Sequence, residues 1–195
     1  MYELYKEAES SFPLADYGLL MREVKRTGAK TALEIGPGAS TLALIEAGLE
    51  KIVTLEHEEE WYEKAIERFK EYPQVTVGRY KDEPVVTADE IANQEFDIAF
   101  VDSPKGFTWP VPGVKGTRKK HPGMEDCSRL NTCLFALERA PIVFLHDAHR
   151  PLERGTLGRL SALGHSSWIF EAGSSLARID RNGKRPSGVG LQGAA

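Results

Sequence analysis

The chain has 195 residues, 41% of them apolar, and carries 29 acidic against 25 basic side chains, a net charge of −4 at pH 7. This length and composition predict one globular domain with a sizeable core. Proteins that bind nucleic acids in general are basic, so the negative net charge argues against that class. No segment approaches the roughly 20 apolar residues of a membrane span, and the charged N-terminus has no signal-peptide core, so we expect a cytoplasmic protein.

The first predicted elements are helices and a glycine turn. Helices over 2–10 and 14–27 make 1–28 a helical N-terminal part of a single domain covering 1–180. A short apolar strand at 31–35 then runs into a glycine-bracketed turn, and a helix over 40–47 follows. Glycines let the backbone approach a ligand closely, and the N-terminus of a helix offers unpaired N–H groups. The turn therefore predicts a ligand site.

A second strand, 51–56, ends in Glu56, which is suited to accept hydrogen bonds from two ribose hydroxyls. Together with the glycine turn it predicts an adenosine-binding unit. Two details distinguish the turn from a dinucleotide fingerprint. Thr41 stands where the third glycine of G-x-G-x-x-G would be. Glu34 lies close to where a pyrophosphate would bind, and a carboxylate there repels phosphate but suits an ammonium group.

The acid-x-Gly-x-Gly pattern of Glu34, Gly36 and Gly38 resembles the first motif of class I S-adenosylmethionine-dependent methyltransferases. The resemblance implies that Glu34 lies near the methionine amine, that the glycines line the cofactor, and that Glu56 binds the ribose. The residues expected at S-adenosylmethionine (SAM) are Glu34, Gly36, Pro37, Gly38, Ser40, Thr41, Glu56, His57, Asp102 and Ser103.

Strands and helices alternate through the rest of the chain. The other predicted strands cover 74–80, 96–101, 141–146, 166–171 and 175–180, the last two as a hairpin. The other predicted helices cover 58–72, 87–93, 124–138 and 151–163. The inward face of helix 58–72 is expected to carry Trp61, Tyr62, Ala65, Ile66 and Phe69. This order predicts an α/β fold with a mainly parallel sheet, and it resembles the Rossmann-like, seven-stranded sheet of class I methyltransferases with helices on both faces. The glycine-rich tail, 181–195, is predicted to be flexible.

Ligands of parallel sheets bind beyond the carboxyl ends of the strands, and the predicted catalytic residues there are Asp102, His146, Asp147 and His149. A hydroxyl acceptor needs a base or a metal ion. His146 is the first candidate base and His149 the second. Alternatively, Asp102 and Asp147 with a histidine hold a divalent cation. The plain structural alternatives are that Asp147 caps a helix and that His149 is a surface residue.

The stretch 103–123 is long and basic, and it contains no acidic residue. Long loops of this kind often act as lids or binding loops. Four of its residues, Lys105, Trp109, Arg118 and Lys119, are expected to bind an anionic acceptor through charge and ring stacking. The alternative is a solvated excursion with no such role.

Two further segments, 96–107 and 143–150, together with 34–41, resemble the glucuronoxylan 4-O-methyltransferase group. That group shows acid-x-Pro-x-Gly-aromatic after the fourth strand and Val-Phe-x-His-Asp-x-x-Arg after the fifth. The resemblance implies O-methylation of a hydroxyl on an anionic sugar. The leading hypothesis is a SAM-dependent O-methyltransferase acting on a small-molecule or saccharide acceptor.

Several alternatives stay open. One is a nicotinamide-dependent oxidoreductase or epimerase, and another is a catalytically silent module that binds SAM. Methylation of nitrogen is also open, because the sequence does not show the acceptor atom. Nucleic-acid methylation is disfavoured, because Asp102-Ser-Pro-Lys105 stands where an amino-methylating enzyme has Asn/Asp-Pro-Pro-Tyr/Phe.

Overall fold

The computed structural model describes residues 4–7, 12–80, 94–102, 109–110, 118–119, 129–170 and 174–181.

Seven strands form one sheet. They are β1 (Thr31–Ile35), β2 (Lys51–Glu56), β3 (Val75–Arg79), β4 (Ile98–Val101), β5 (Ile142–Leu145), β6 (Ser166–Ile169) and β7 (Ala177–Asp180). Their order across the sheet is β3-β2-β1-β4-β5-β7-β6. Neighbours among the first five strands are parallel, whereas β7 is antiparallel to both β5 and β6. The predicted fold class, including its C-terminal hairpin, is confirmed.

Five α-helices cover the two faces of this sheet in the described part of the chain. They are α1 (Leu14–Thr27), α2 (Ala39–Ala47), α3 (Glu59–Phe69), α4 (Leu130–Arg139) and α5 (Pro151–Ala162). Side chains alternate between the faces along each strand. In β1, Ala32 packs in the core cluster shared with α1, α2 and α3, whereas Leu33 and Ile35 pack with α4 and α5. None of the described helices is both long enough and apolar enough to cross a membrane.

The strand order positions the ligand site. From β1 the chain moves outward through β2 and β3 and then returns to add β4 on the other side of β1. The carboxyl ends of β1 and β4 therefore border a topological switch point, where connections leave in opposite directions and open a crevice. The glycine turn follows β1 and Asp102 follows β4, so both lie at this crevice.

Several predicted boundaries and one predicted face differ from the structure. The N-terminal helix predicted at 2–10 is described only as a 3-10 turn, Leu4–Glu7. Helix α3 ends at Phe69 rather than at residue 72, and helix α4 is described from Leu130 rather than from residue 124. The short helix predicted at 87–93 lies outside the described residues.

The predicted inward face of α3 was wrong at two of its five positions. Trp61 and Ile66 are 53% and 40% exposed, Tyr62 is half-buried, and only Ala65 and Phe69 are buried. The physical reason is that α3 packs on β2 and on β3, the edge strand of the sheet. An edge offers too little surface to cover so broad an apolar stripe. The Trp61 ring is covered instead by the Lys64 ammonium, 4.4 Å from its centroid.

At the amino ends of the central strands, away from the crevice, Asp97 ties the start of β4 to the start of β1. Its Oδ2 accepts hydrogen bonds from the backbone N–H groups of Lys30 and Thr31, at 2.8 and 2.9 Å, and from the Thr31 hydroxyl at 3.0 Å. The two backbone hydrogen bonds, first that of Lys30, lower the pKa of Asp97.

Replacing Asp97 by alanine is expected to lower the free energy of unfolding by about 1–2 kcal/mol, because two backbone donors lose a charged acceptor. Since the folded pKa is lowered, this contribution is present above the ordinary aspartate pKa of about 3.9 and is lost as the pH falls through the folded value. Urea unfolding at neutral and acidic pH measures both effects. Glu95→Ala, at an exposed neighbouring acid, is the control, and an equal loss in the two variants would contradict the prediction.

Candidate active site at the switch point of the sheet

The glycine turn presents an open backbone surface to the crevice. Gly36 has a left-handed backbone, φ +98°, and its N–H donates a hydrogen bond to the carbonyl oxygen of Leu55 at 2.9 Å. Gly38 is extended, with φ 177°, and in the described part of the chain a Cβ built on it would meet no other atom within 4 Å. The conformation of Gly36 therefore favours glycine, whereas the absence of a side chain at Gly38 leaves open space above the turn.

Glu34 lies beneath this turn and is fully buried. Its Oε1 accepts a hydrogen bond from Ser40 at 2.7 Å and its Oε2 accepts one from Thr41 at 2.6 Å. The Thr41 hydroxyl also accepts the N–H of Gly38, at 3.0 Å. Burial raises the pKa of Glu34 to about 7, although these hydroxyls oppose the shift. Glu34, Ser40 and Thr41 thus shape the turn from inside, and in this conformation the Glu34 carboxylate is not open to a ligand.

Glu56 lies at the tip of β2, beside the turn. Its Oε1 accepts the backbone N–H groups of His57 and Glu58, at 2.7 and 2.9 Å. The His57 ring lies 2.8 Å from the same oxygen through Nδ1 and stacks on the buried ring of Tyr80, with 5.4 Å between centroids. The carboxylate that the sequence assigned to the ribose is therefore held in a fixed position by main-chain donors.

The tips of β4 and β5 bring three predicted catalytic residues together. The Nδ1 atom of His146 lies 3.0 Å from Asp102 Oδ1 and 3.9 Å from Asp147 Oδ1. The Asp102 side chain is 31% exposed, whereas those of His146 and Asp147 are 8% and 9% exposed. Asp102 is thus the member of this group that faces the crevice. Asp147 is not the N-cap of α5, because that position is held by Arg150.

A second carboxylate approaches His146 from helix α1. Asp16 Oδ2 lies 3.8 Å from His146 Nε2, and the Phe12 ring covers the imidazole at 4.6 Å between centroids. Burial disfavours the charged imidazole, but Asp102 and then Asp16 outweigh it and raise the pKa of His146 to about 9. His146 is therefore a cation at neutral pH, and a cation cannot act as the general base that the sequence predicted for this residue.

The residue that sequence reasoning missed is Arg129, which immediately precedes α4. Its guanidinium is fully buried and lies 3.4 Å from Asp102, 3.3 Å from Asp147 and 3.9 Å from Glu153 of α5. It also donates a hydrogen bond to the carbonyl oxygen of His146, at 3.0 Å. In the described residues, Arg129 and Asp147 are the two non-glycine positions with positive φ. Such backbones cost about 1–3 kcal/mol each and cluster at functional sites.

The spacing of Asp102, His146 and Asp147 suits a divalent ion, but the charges around them do not. One ligand atom of each residue lies within 4.8 Å of the others. Arg129, however, contacts both carboxylates, and Arg150 lies 2.7 Å from Asp147. A dication bound to the two carboxylates would lie next to these guanidinium groups and would be repelled by them, and both carboxylates already have cationic partners. The residues therefore do not fit a divalent metal as they are arranged here.

Other predicted site residues are not brought into this group. His149 is exposed, two residues beyond Asp147. Ser103 and Lys105 lie outside the described residues. Trp109 belongs to a two-residue strand paired with Arg118 and Lys119, and their side chains also lie outside the description. The predicted acceptor-binding role of 103–123 therefore stays a prediction.

The sequence matches no protein-family model and no curated protein, but the fold matches solved methyltransferases. The SAH-bound methyltransferase PaMTH1 of Podospora anserina has a TM-score of 0.61 and 16% identity, covering 94% of this chain and 87% of that chain. An O-methyltransferase from Bacillus cereus, in complex with SAH, has a TM-score of 0.58 and 16% identity, covering 91% and 85%. The O-methyltransferase TomG of Streptomyces achromogenes, in complex with SAM, has a TM-score of 0.57 and 17% identity, covering 88% and 81%.

These similarities define the fold as the Rossmann-like fold of SAM-dependent methyltransferases. At 16–17% identity they establish the fold alone. The narrower resemblance to the glucuronoxylan 4-O-methyltransferase group depends on the sequence motifs.

The raised pKa of His146 predicts a pH-dependent stability. Because the folded value of about 9 lies above the ordinary 6.5, the contribution is complete below about pH 6.5, declines as the pH rises and is lost above about 9. The loss over this window is roughly 3 kcal/mol. Urea unfolding between about pH 8 and 9, above the titration of Glu34 near pH 7, measures the upper part of this loss. His146→Gln should flatten the profile, whereas His149→Gln at the exposed neighbour should not, and identical profiles would refute the assignment.

Proposed function

We propose that this protein is a SAM-dependent methyltransferase. The observation that carries the proposal is the open space above Gly38 at the switch point of the sheet. Glu56 lies at the neighbouring strand tip, where an acid can bind ribose hydroxyls. An adenosyl ligand fits this arrangement, because Gly38 places no side chain in the open space above the turn and β2 offers a fixed carboxylate.

The burial of Glu34 argues against both expectations for this residue, which were contact with the methionine amine and repulsion of a pyrophosphate. A carboxyl with both oxygens bound beneath α2 neither contacts a methionine amine directly nor repels a pyrophosphate strongly. The case against a dinucleotide therefore rests on Thr41, whose hydroxyl turns inward at the position of the third glycine. We retain Glu34 as the residue that holds the turn in shape.

We propose that Asp102, rather than His146, accepts the proton that the acceptor hydroxyl loses. SAM, when bound, supplies a methyl group that its sulfonium sulfur already activates. The hydroxyl oxygen of the acceptor would form the new C–O bond as the C–S bond breaks, and S-adenosylhomocysteine would leave with the bonding pair. The attacking hydroxyl becomes strongly acidic in this exchange, so the Asp102 carboxylate is a sufficient acceptor for its proton. Asp102 faces the crevice, and His146 and Arg129 hold it in place from behind. Positioning supplies much of the remaining rate.

The acceptor that we propose is a hydroxyl on a polar or anionic small molecule or saccharide. The support is the sequence of 103–123, which is basic and has no acidic residue, together with its position directly after Asp102. The resemblance to the glucuronoxylan 4-O-methyltransferase group adds a uronate as the first compound to test. Lys105, Trp109, Arg118 and Lys119 remain the proposed acceptor-binding residues.

Titration calorimetry of the full chain with SAM and with S-adenosylhomocysteine tests the cofactor. We expect both to bind, and we expect Mg²⁺ or Mn²⁺ to produce no heat of binding and no change in the affinity for SAM. Binding of NAD without SAM would favour the oxidoreductase. A metal-dependent affinity would show that Arg129 moves away from the carboxylates when an ion binds.

Transfer of labelled methyl from SAM to glucuronate-bearing xylan oligosaccharides tests the acceptor. The matched control is the same oligosaccharide with its carboxyl group reduced to a hydroxymethyl, which keeps every sugar ring but removes the charge. Equal labelling of both would contradict an anionic acceptor. SAM binding without labelling of any acceptor in a broad panel would favour the silent module.

A further inference from the structure

We propose that Asp16, on helix α1, is a positioning residue of this site. With Asp102 it holds the imidazole of His146 between two carboxylates, so that Asp102 is presented to the crevice. The inference deepens the proposed methyltransferase function and rests on it for its catalytic meaning. No feature of the sequence around Asp16 indicates such a role, because the residue lies in the first turn of an amphipathic helix.

The two ring nitrogens of His146 each face a carboxylate. Nδ1 lies 3.0 Å from Asp102 Oδ1 and Nε2 lies 3.8 Å from Asp16 Oδ2. The first distance is a hydrogen bond, whereas the second is an ion pair too long for a hydrogen bond. A neutral imidazole has one protonated and one bare nitrogen. A bare nitrogen facing either carboxylate would be repelled, so the geometry favours hydrogen on both.

Asp16 is itself fixed in this position. Its Oδ1 accepts hydrogen bonds from the Ser174 hydroxyl at 3.1 Å and from the Ser175 N–H at 3.4 Å. The side chain is 5% exposed. An acid in the first turn of a helix is often there only to complement the helix dipole, and such acids are usually solvated. Burial of Asp16 against a second charged group indicates a more specific role.

The other groups packed on His146 are also consistent with a protonated imidazole that is held in place. Asp147 adds a third carboxylate, 3.9 Å from Nδ1. Arg129 contacts the backbone oxygen of His146 and neutralises Asp102 and Asp147. The rings of Phe12 and Phe100 lie 4.6 and 6.4 Å from the imidazole between centroids and exclude water. His146 is therefore a fixed charge inside the molecule. In the row of side chains Asp16, His146 and Asp102, Asp102 is the exposed member.

The N-terminal segment consequently belongs to the site. Phe12 covers the imidazole and Asp16 binds its far side, so residues 12–16 hold His146 in place although they are distant from it in sequence. Without Asp16, the Nε2 proton has no facing charge, and the ring becomes free to lose that proton. Its hold on Asp102 then weakens, because a neutral donor forms a weaker hydrogen bond with a carboxylate than a cation does.

The test is nitrogen–proton NMR of the imidazole rings in the ¹⁵N-labelled full chain without cofactor. His146→Gln identifies the signal of His146 by its disappearance. At about pH 8 we expect both nitrogens of His146 to be protonated in the unsubstituted protein. In Asp16→Asn, the pH at which the ring loses its proton should fall by about 1–3 units, and Asp16→Glu should recover part of this shift.

The matched control is Glu23→Gln, which also removes a buried acid from α1 but one that pairs with Arg26, at 2.8 Å. We expect the His146 signal of this variant to be unchanged. An unchanged signal in Asp16→Asn, or an equal shift in Glu23→Gln, would overturn the proposal. If Asp16→Asn does not fold, the same comparison is made with Asp16→Ser, and an unchanged His146 signal in that folded variant would overturn the proposal equally.

The NMR measurement uses no cofactor, and calorimetry with S-adenosylhomocysteine is a separate readout. We expect the affinity of Asp16→Asn for this ligand to stay within about twofold, because the described contacts of Asp16 do not involve the glycine turn. If the His146 signal of Asp16→Asn shifts as expected but neither this variant nor the unsubstituted protein binds the cofactor, the proposed function is refuted. The inference about the Asp16–His146 pair would then still stand. The two failures are therefore distinguishable.

Discussion

Replacing Arg129 by methionine is expected to lower the free energy of unfolding by about 3–5 kcal/mol. Methionine keeps an unbranched apolar stem but removes the buried cation that faces Asp102, Asp147 and Glu153. Asp147 and Glu153 are themselves buried, so they would be left without their buried counter-ion. Urea unfolding monitored by circular dichroism at neutral pH measures the loss.

Arg150 supplies a matched control on the same carboxylate. Its guanidinium lies 2.7 Å from Asp147, closer than that of Arg129 at 3.3 Å, but its side chain is 49% exposed and that of Arg129 is fully buried. Arg150→Met should therefore cost less than about 1 kcal/mol. If distance rather than burial decided the energy, the order of the two variants would be reversed, and our account of Arg129 would be wrong.

A second substitution tests the cause of the loss. Asp147→Asn in the Arg129→Met background removes one of the uncompensated charges and should recover part of the lost stability, although Asp147→Asn alone should be destabilising. The double-mutant cycle isolates the coupling between the two side chains. A coupling near zero would show that the loss comes from packing around the side chain and not from charge.

The architecture was predictable because each of its signals is local. The apolar runs that became β1, β4 and β5 are continuous, as buried parallel strands require, and each is followed by a helix. Two short strand-like segments on either side of a Gly-Ser turn predicted the terminal hairpin. Strand ends define the ligand edge in such sheets, so the sequence alone predicted that Glu56, Asp102, His146 and Asp147 lie at that edge, and their roles there stay proposals.

The details that failed are those that depend on tertiary contacts. Glu34 precedes the glycines at the spacing of a ligand-binding acid, yet it occupies a position of β1 that faces α2 by strand alternation. Helix α3 carries a broad apolar stripe, but the edge of the sheet covers only part of it. A local pattern identifies which residues are apolar or acidic, whereas burial depends on what another element places against them.

The ionisation of the site was beyond sequence reasoning for the same reason. An isolated histidine titrates near 6.5, and the expectation that His146 acts as a base assumed that value. Asp16 lies 130 residues before His146 in the sequence. Arg129 lies at the end of a stretch with no recognisable motif. Asp16 adds to the effect of Asp102 on the pKa of His146, and Arg129 pairs with Asp102 and Asp147. Only the folded arrangement brings Asp16 and Arg129 to the site.

Gly38→Val is expected to abolish binding of SAM and S-adenosylhomocysteine, with at least a hundredfold loss of affinity (about 3 kcal/mol or more), while leaving the fold intact. The backbone at Gly38 has φ 177°, which is not the left-handed region that favours glycine. A Cβ there meets no other atom of the described residues within 4 Å. The added side chain would therefore project into the space where the proposed ligand approaches the backbone, and the protein itself would not need to move.

Two measurements separate this steric effect from a folding defect. The midpoint of thermal unfolding without ligand should be nearly unchanged, and calorimetry should show no heat with either ligand. Gly38→Ala should give an intermediate loss, because its single methyl intrudes less. Gly158→Ala, at an exposed position of α5 that is equally open, should bind normally. If Gly38→Val bound S-adenosylhomocysteine as tightly as the unsubstituted protein, the ligand would have to lie elsewhere, because an adenosyl group resting on this turn cannot share its space with two added methyl groups.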